Sequence, residues 1–231
     1  MLTPYDEFPV HQATRPFSHI PSSDTAWDDG YFFGLLNPDE ELFLFTGMRV
    51  SPNTDMIGGY VGVCIRGRQY TTRFSRIWRE AFDTHIGPLR YAFKEPFKDI
   101  HLTLADNASD LAMDLHWLGL APAHEEEHHL ATNRGRRSTD QTRYSQIGTA
   151  EGWIEFEGKR IEVSKDNWTA TRDHSWGIYA DRPPFKNQTK LLPPAEKPAV
   201  RRALRIWIPF KTSTHTGFYH FHEDEDGNQL H

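Results

Sequence analysis

The chain has 231 residues, enough for one large β domain or two smaller ones with a sizeable core. A formal charge of −6 and a sequence pI near 6.1 exclude a general affinity for nucleic acid, and the short cluster Arg134–Gly135–Arg136–Arg137 does not reverse that. The single cysteine, Cys64, excludes an intrachain disulfide, and no apolar run approaches the roughly 20 residues that span a bilayer.

Aromatic residues make up 13% of the chain, alongside 16 Gly and 15 Pro, a composition that favours sheets, many turns and few long helices. The N-terminus lacks a basic region followed by an apolar one, so no signal peptide is expected and the expected setting is a reducing cytoplasm. The sequons at Asn107, Asn167 and Asn187 then carry no weight. Cys64 sits in the apolar run 60–65 and reads as a small core residue.

Residues 1–26 are polar and punctuated by proline, and read as an N-terminal arm. Residues 31–36 form a short apolar strand ended by the turn Asn37–Pro38–Asp39, and 42–50 the next strand, so the two predict a hairpin. Further strands are expected at 60–65, 69–74, 89–93 and 100–104, with a helical turn possible over 75–82. Residues 111–120 alternate, with Leu111, Met113, Leu115 and Trp117 on one face and Asp114, His116 and Leu118 on the other. Residues 121–143 are rich in His, Glu, Arg and Thr and read as a linker between two halves. Strand patterns resume at 146–156 and 160–163 around a Gly158 turn, and at 203–208 and 216–222. The proline-rich stretch 181–200 predicts a loop. Strand, turn, strand at short intervals, twice over, predicts antiparallel sheets closed into barrels.

Candidate chemistry concentrates in Thr171–Arg172–Asp173–His174–Ser175–Trp176–Gly177. In an extended strand Arg172, His174 and Trp176 share one face, with Asp173 and Ser175 on the other. Asp173 and His174 are the candidate acid/base pair, since burial raises a carboxyl pKa and a neighbouring imidazole tunes it. Trp176 offers a ring face to a polyene or a carbocation. The alternative is a satisfied polar plug closing one barrel end. Alternation also sets a conflict: a regular strand points Asp173 and His174 opposite ways, so they cannot both line one cavity.

Other motifs are weaker. His124–Glu125–Glu126–Glu127–His128 fits the H-E-x-x-H pattern of zinc hydrolases, but that chemistry needs a helix and the flanks offer no apolar face to seat one. A metal-dependent hydrolase is kept as a minor alternative. His220 and His222 share a strand face with metal-chelating spacing, yet the acidic run behind them reads as a solvated turn, so no metal and no cofactor is expected. There is no G-x-S-x-G, and the glycines at 58, 59 and 62 lack phosphate-loop spacing.

The segment Arg172–Asp173–His174–Ser175–Trp176–Gly177 resembles the R-D-H-x-W-G signature of the carotenoid 1,2-hydratase and AttH-like family. Asp29–Gly30–Tyr31–Phe32, the run Asp114–Leu115–His116–Trp117–Leu118–Gly119–Leu120–Ala121–Pro122, and Tyr144–Ser145–Gln146–Ile147–Gly148 are similar to its functionally unassigned bacterial branch. The resemblance implies an all-β chain of two lipocalin-like antiparallel barrels in tandem: an arm over 1–26, a first barrel over 27–120, a linker over 121–143 and a second barrel over 144–231. Family members run past the point where this chain stops, so the second barrel is expected to lack its last strands, through truncation or because a homodimer partner completes it.

By the same resemblance the ligand is a hydrophobic small molecule, terpenoid, steroid or polyketide-like, handled by hydration, isomerisation or cyclisation. Asp173 and His174 would protonate an alkene and manage the water, while Arg172 and Trp176 position them and shield a cation. Tyr179, Trp168, His116, Trp117 and His220 are the further candidates for lining the ligand site. The competing expectations are a non-catalytic carrier of a lipophilic ligand and a structural domain without one.

Overall fold

In the computed structural model the described residues are 2–7, 9, 14–133, 135–179, 204–224 and 226–229. The first strands form a meander: β1 (Trp27–Asn37), β2 (Leu42–Ser51), β3 (Met56–Ile65) and β4 (Arg68–Ile77). Gly67 at φ 74 turns β3 into β4, where a side chain would be strained. Within the expected helical turn over 75–82, residues 75–77 belong to the end of β4 and Trp78–Glu80 alone coil, as a 3-10 turn. Next come β5 (His85–Ile86), β6 (Leu89–Glu95), β7 (Asp99–Leu104) and β8 (Leu111–Gly119).

The polar stretch after Gly119 contains strand. It holds β9 (His124–Glu125), β10 (His129–Asn133) and the start of β11 (Arg136–Phe156), followed by β12 (Lys159–Val163) and β13 (Thr169–Tyr179). Backbone ladders need no apolar side chains, and β9 and β10 satisfy theirs along β11, which is why composition alone hid them. The last pair is β14 (Leu204–Lys211) with β15 (Thr216–Glu223). The expected loop over 181–200 lies outside the described residues.

One antiparallel sheet runs β4-β3-β2-β1-β13-β11-β8-β7-β6-β5. Its two ends approach each other where Arg76 donates from Nε to the His85 carbonyl at 2.7 Å and pairs with Asp83, so the sheet is a nearly closed barrel. β13 lies between β1 and β11, and β11 also pairs with β8, so strands on both sides of residues 121–143 share this one sheet. The fold is all-β and lipocalin-like, with β14 and β15 as a separate two-stranded sheet. Among the described residues no helix is long and apolar enough to cross a membrane.

The barrel interior is packed. Phe33 meets Tyr91 and Trp117 edge-on at 5.3 and 6.1 Å, within a core drawn from β1 to β8, β11, β12 and β13. Thr46 Oγ1 donates to the Tyr60 carbonyl at 2.7 Å and lies 2.6 Å from the Tyr91 hydroxyl, so the polar atoms buried there are satisfied.

Candidate functional site

β13 pairs with β1 and β11 in unbroken register from Thr169 to Tyr179, so its side chains alternate as a regular strand requires. The signature segment therefore divides between two sites. Gly177 ends it because nothing else fits: its φ is 125, and a Cβ there would lie 2.1 Å from the Asp140 carbonyl oxygen.

On the inner face, Arg172 is 1% exposed. Its guanidinium carbon stands 5.0, 5.1 and 5.5 Å from the rings of Trp117, Tyr144 and Phe97, and Nε donates to Gln146 Oε1 at 3.1 Å. Gln146 uses its amide to donate to the Phe97 and Ala121 carbonyls, both at 2.8 Å, tying β11 to two loops. Burial pulls the Arg172 pKa down, and Tyr144 pushes it back up. His174 stacks on Tyr31 at 4.2 Å and lies 5.1 Å from Trp176. Its Nε2 is 2.7 Å from Asp29 Oδ1 and its Nδ1 3.2 Å from the Tyr144 hydroxyl. With Nε2–H donating to Asp29, Nδ1 is left to accept from Tyr144. Burial raises the Tyr31 and Tyr144 pKa values, which keeps both hydroxyls protonated as donors. Arg172 and His174 have their partners within the protein, whereas the indole N–H of Trp117 on this face has none among the described residues.

On the outer face, Asp173 and Ser175 look the other way, towards Arg143, Glu126 and the β14–β15 hairpin. A cavity of about 510 Å³ is lined by Phe32, Glu126, Arg143, Asp173, Arg205 and Trp207. A second, about 430 Å³, continues along the hairpin past Ser145, Trp207, Phe218 and His220. Burial raises the Asp173 pKa, Arg143 pulls it down and Glu126 adds to the rise. Glu126 is 9% exposed; its Oε1 accepts from Ser145 Oγ at 2.5 Å and its Oε2 lies 3.9 Å from Arg143 Nη1. Ser175 Oγ, Gln141 Nε2, Arg143 Nε and Glu126 Oε2 are buried without a hydrogen-bond partner among the described residues. Such atoms carry a desolvation cost and cluster here, beside the one carboxyl of the segment held towards its neutral form.

The remaining candidates scatter. Trp117 and Trp168 are wholly buried in the barrel core. Tyr179 ends β13, with its N–H donating to the Ala26 carbonyl at 3.2 Å. His116 points outward on β8, stacked on His101 at 4.5 Å and 2.8 Å from Asp99 Oδ1. His220 reaches the second cavity, where burial lowers its pKa; His222 lies two residues on, opposite Arg205. The His124–His128 stretch is strand and extended chain rather than helix, so its two histidines and glutamate do not take the zinc-hydrolase arrangement. His128 instead meets Asp140 at 3.0 Å and Thr142 at 3.2 Å. Among the described residues no group of three His, Cys, Asp or Glu side chains is placed to hold a metal ion. Sequence reasoning missed Glu126, Arg143, Ser175 and Phe32 as site residues. Alternation does put Ser175 beside Asp173, whereas nothing local signals that Glu126 turns inward.

The chain is similar to a crystal structure of a candidate AttH protein from Nitrosomonas europaea, with a TM-score of 0.57 and 14% identity over 96% of this chain and 69% of that one. It is also similar to kievitone hydratase from Nectria haematococca, with a TM-score of 0.48 and 7% identity over 100% of this chain and 70% of that one. The first likeness establishes a shared fold. A search of curated proteins returns no match. The family model of a family of unknown function, DUF8625, matches residues 2–231, and the chain belongs to that family.

Proposed function

We propose that this protein binds a hydrophobic small molecule in the cleft between β13 and the β14–β15 hairpin and adds water across one of its double bonds. The observation that carries this reading is Asp173, set among the aromatic side chains Phe32 and Trp207 on the wall of that cleft. A carboxyl held towards its neutral form supplies a proton to an alkene carbon, and the two ring faces stabilise the resulting cation. Water then bonds to the cationic carbon, and its proton passes to Glu126, the second carboxyl facing the cavity. Transfer back to Asp173 through solvent closes the cycle. His174 has no part in the proton transfer; it anchors β13 through Asp29 and Tyr144.

Native mass spectrometry of gently purified protein should return a co-retained hydrophobe, and incubation in heavy-oxygen water should label it. Asp173→Asn should keep the hydrophobe and lose the label, by a factor of roughly 10²–10⁴ in rate. Labelling at the wild-type rate in that variant would sink the proposal. Retention without labelling in the wild type would favour the carrier reading, which the same cavity supports.

A further inference from the structure

Three of the buried polar atoms left without partners on the outer face are donors, and they are neighbours. Ser175 Oγ, Gln141 Nε2 and Arg143 Nε each carry a hydrogen with no acceptor among the described residues. Ser175 is 1% and Gln141 2% exposed, so bulk water does not serve them. The register of β11 and β13 brings the three together. Ser175 pairs with Arg143, and Gln141, two residues back on the same face of β11, pairs with Gly177. Three corners of this square hold an unused donor, and the fourth, a glycine, holds no side chain. Opposite residues stand about 5 Å apart and alternate ones about 7 Å, a patch that one small polar group spans.

Ser175 and Arg143 line a cavity of about 220 Å³ that shares Phe32, Arg143 and Asp173 with the 510 Å³ cleft. Arg49 closes it on the β1 side. Its guanidinium covers Gly30, the residue opposite Ser175, so closely that a Cβ there would lie 2.9 Å from Arg49 Cζ. Charge decides what kind of group fits. Arg49 is ion-paired with Asp28, and Arg143 Nη1 faces Glu126 Oε2 at 3.9 Å, so neither arginine has a charge to spare for an anion. A carbonyl oxygen satisfies donors through its lone pairs and brings no charge of its own into the site. Ser175 stands two residues along β13 from Asp173, about 7 Å away. An oxygen held at Ser175 is therefore several bonds from any carbon that Asp173 reaches.

We infer that this pocket holds a carbonyl oxygen of an otherwise apolar substrate, with Ser175 Oγ, Gln141 Nε2 and Arg143 Nε donating to it. The inference rests on the hydration reading in one respect, the placing of that carbonyl several bonds from the double bond that Asp173 protonates. The substrate is thus a ketone, aldehyde or ester whose carbonyl is not conjugated with the reacting double bond. A site built to hydrogen-bond such an oxygen discriminates against the analogue that lacks it, because that analogue leaves the buried donors unpaired. The three donors select and orient the substrate, and Asp173 acts on it.

Isotope-edited infrared spectroscopy of the full chain with 2-undecanone, carrying carbon-12 or carbon-13 at its carbonyl, reads the pocket directly. The stretch of the bound ketone should fall below its value in hexane, because the donors weaken the C=O bond. Ser175→Ala and Gln141→Leu should each move it back towards the hexane value and weaken ketone binding about fivefold in equilibrium dialysis, while binding of 2-methylundecane stays unchanged. Each variant removes a donor that has no partner, so without ligand both should unfold at the wild-type urea midpoint or above it. A lower midpoint in both would assign the donors to the fold and overturn the pocket. A wild-type stretch at the hexane value, a downshift that survives both substitutions, or undecanoic acid binding more tightly than the ketone would overturn it too. A downshift lost in the variants, without Asp173-dependent labelling, would leave the carbonyl pocket standing and remove the hydration reading; labelling with an unshifted stretch would do the reverse.

Discussion

The two faces of β13 are built from adjacent residues and behave as different materials. Inward, Arg172, His174 and Trp176 lie among Phe97, Trp117, Tyr144, Tyr31 and Asp29, and Arg172 and His174 both meet hydrogen-bond partners inside the protein. Outward, Asp173 and Ser175 border open cavities, and the polar atoms around them are left incomplete. A cation held by ring faces and one amide is a fixture. A carboxyl whose pKa burial raises, beside a hydroxyl without a partner among the described residues, is less settled. One strand thus presents a partnered polar set on one side and an incompletely partnered one on the other.

Substitutions can break this contrast, and their expected effects descend in order. Arg172→Ala removes a fully buried side chain from three aromatic contacts and leaves Gln146 Oε1 unpaired, so urea unfolding should show a loss of about 3–4 kcal/mol. His174→Ala breaks the link from β13 to Asp29 and the stack on Tyr31, and should cost about 1–2 kcal/mol in the same assay. Trp207→Ala, on the hairpin side of the cleft, should leave the melting temperature nearly unchanged and weaken retention of a hydrophobe by about tenfold in dialysis.

The smallest effect is the most diagnostic. The folded state raises the Asp173 pKa, so it holds that proton more tightly than the unfolded chain does. The associated stability is complete below the unfolded carboxyl value, near 3.9, and is lost as pH rises through the folded value. Asp173→Asn should therefore melt slightly higher than wild type at neutral pH, with the difference vanishing in acid; calorimetry at several pH values would show it. If Asp173→Asn instead melts lower at neutral pH, the outer face is as structural as the inner one.

The strand grammar was largely legible. Residues 31–36 and 42–50 do form paired strands, and Leu111, Met113, Leu115 and Trp117 do face one core, because half-buried strands announce themselves through alternation. The strands β9 and β10 stayed hidden because a ladder along β11 needs only backbone groups. Alternation also anticipated the division of Arg172 to Trp176 between two faces. What it could not supply was identity of place. That β13 would lie between β1 and β11 is a fact of long-range pairing, and Glu126 joined Asp173 only because a loop folded back to let Ser145 hold its carboxylate.

The position of β13 also governs how the chain must be made. Its contact with β1 joins His174 to Asp29 across 145 positions, so β1 waits as an unpaired edge until most of the polypeptide has left the ribosome, and β8 waits likewise for β11. Pairings this remote in sequence form slowly, and open strand edges recruit other chains while they wait. Expression at low temperature, or with a chaperone that masks strand edges, should therefore raise the soluble yield more than any single stabilising substitution in the finished barrel.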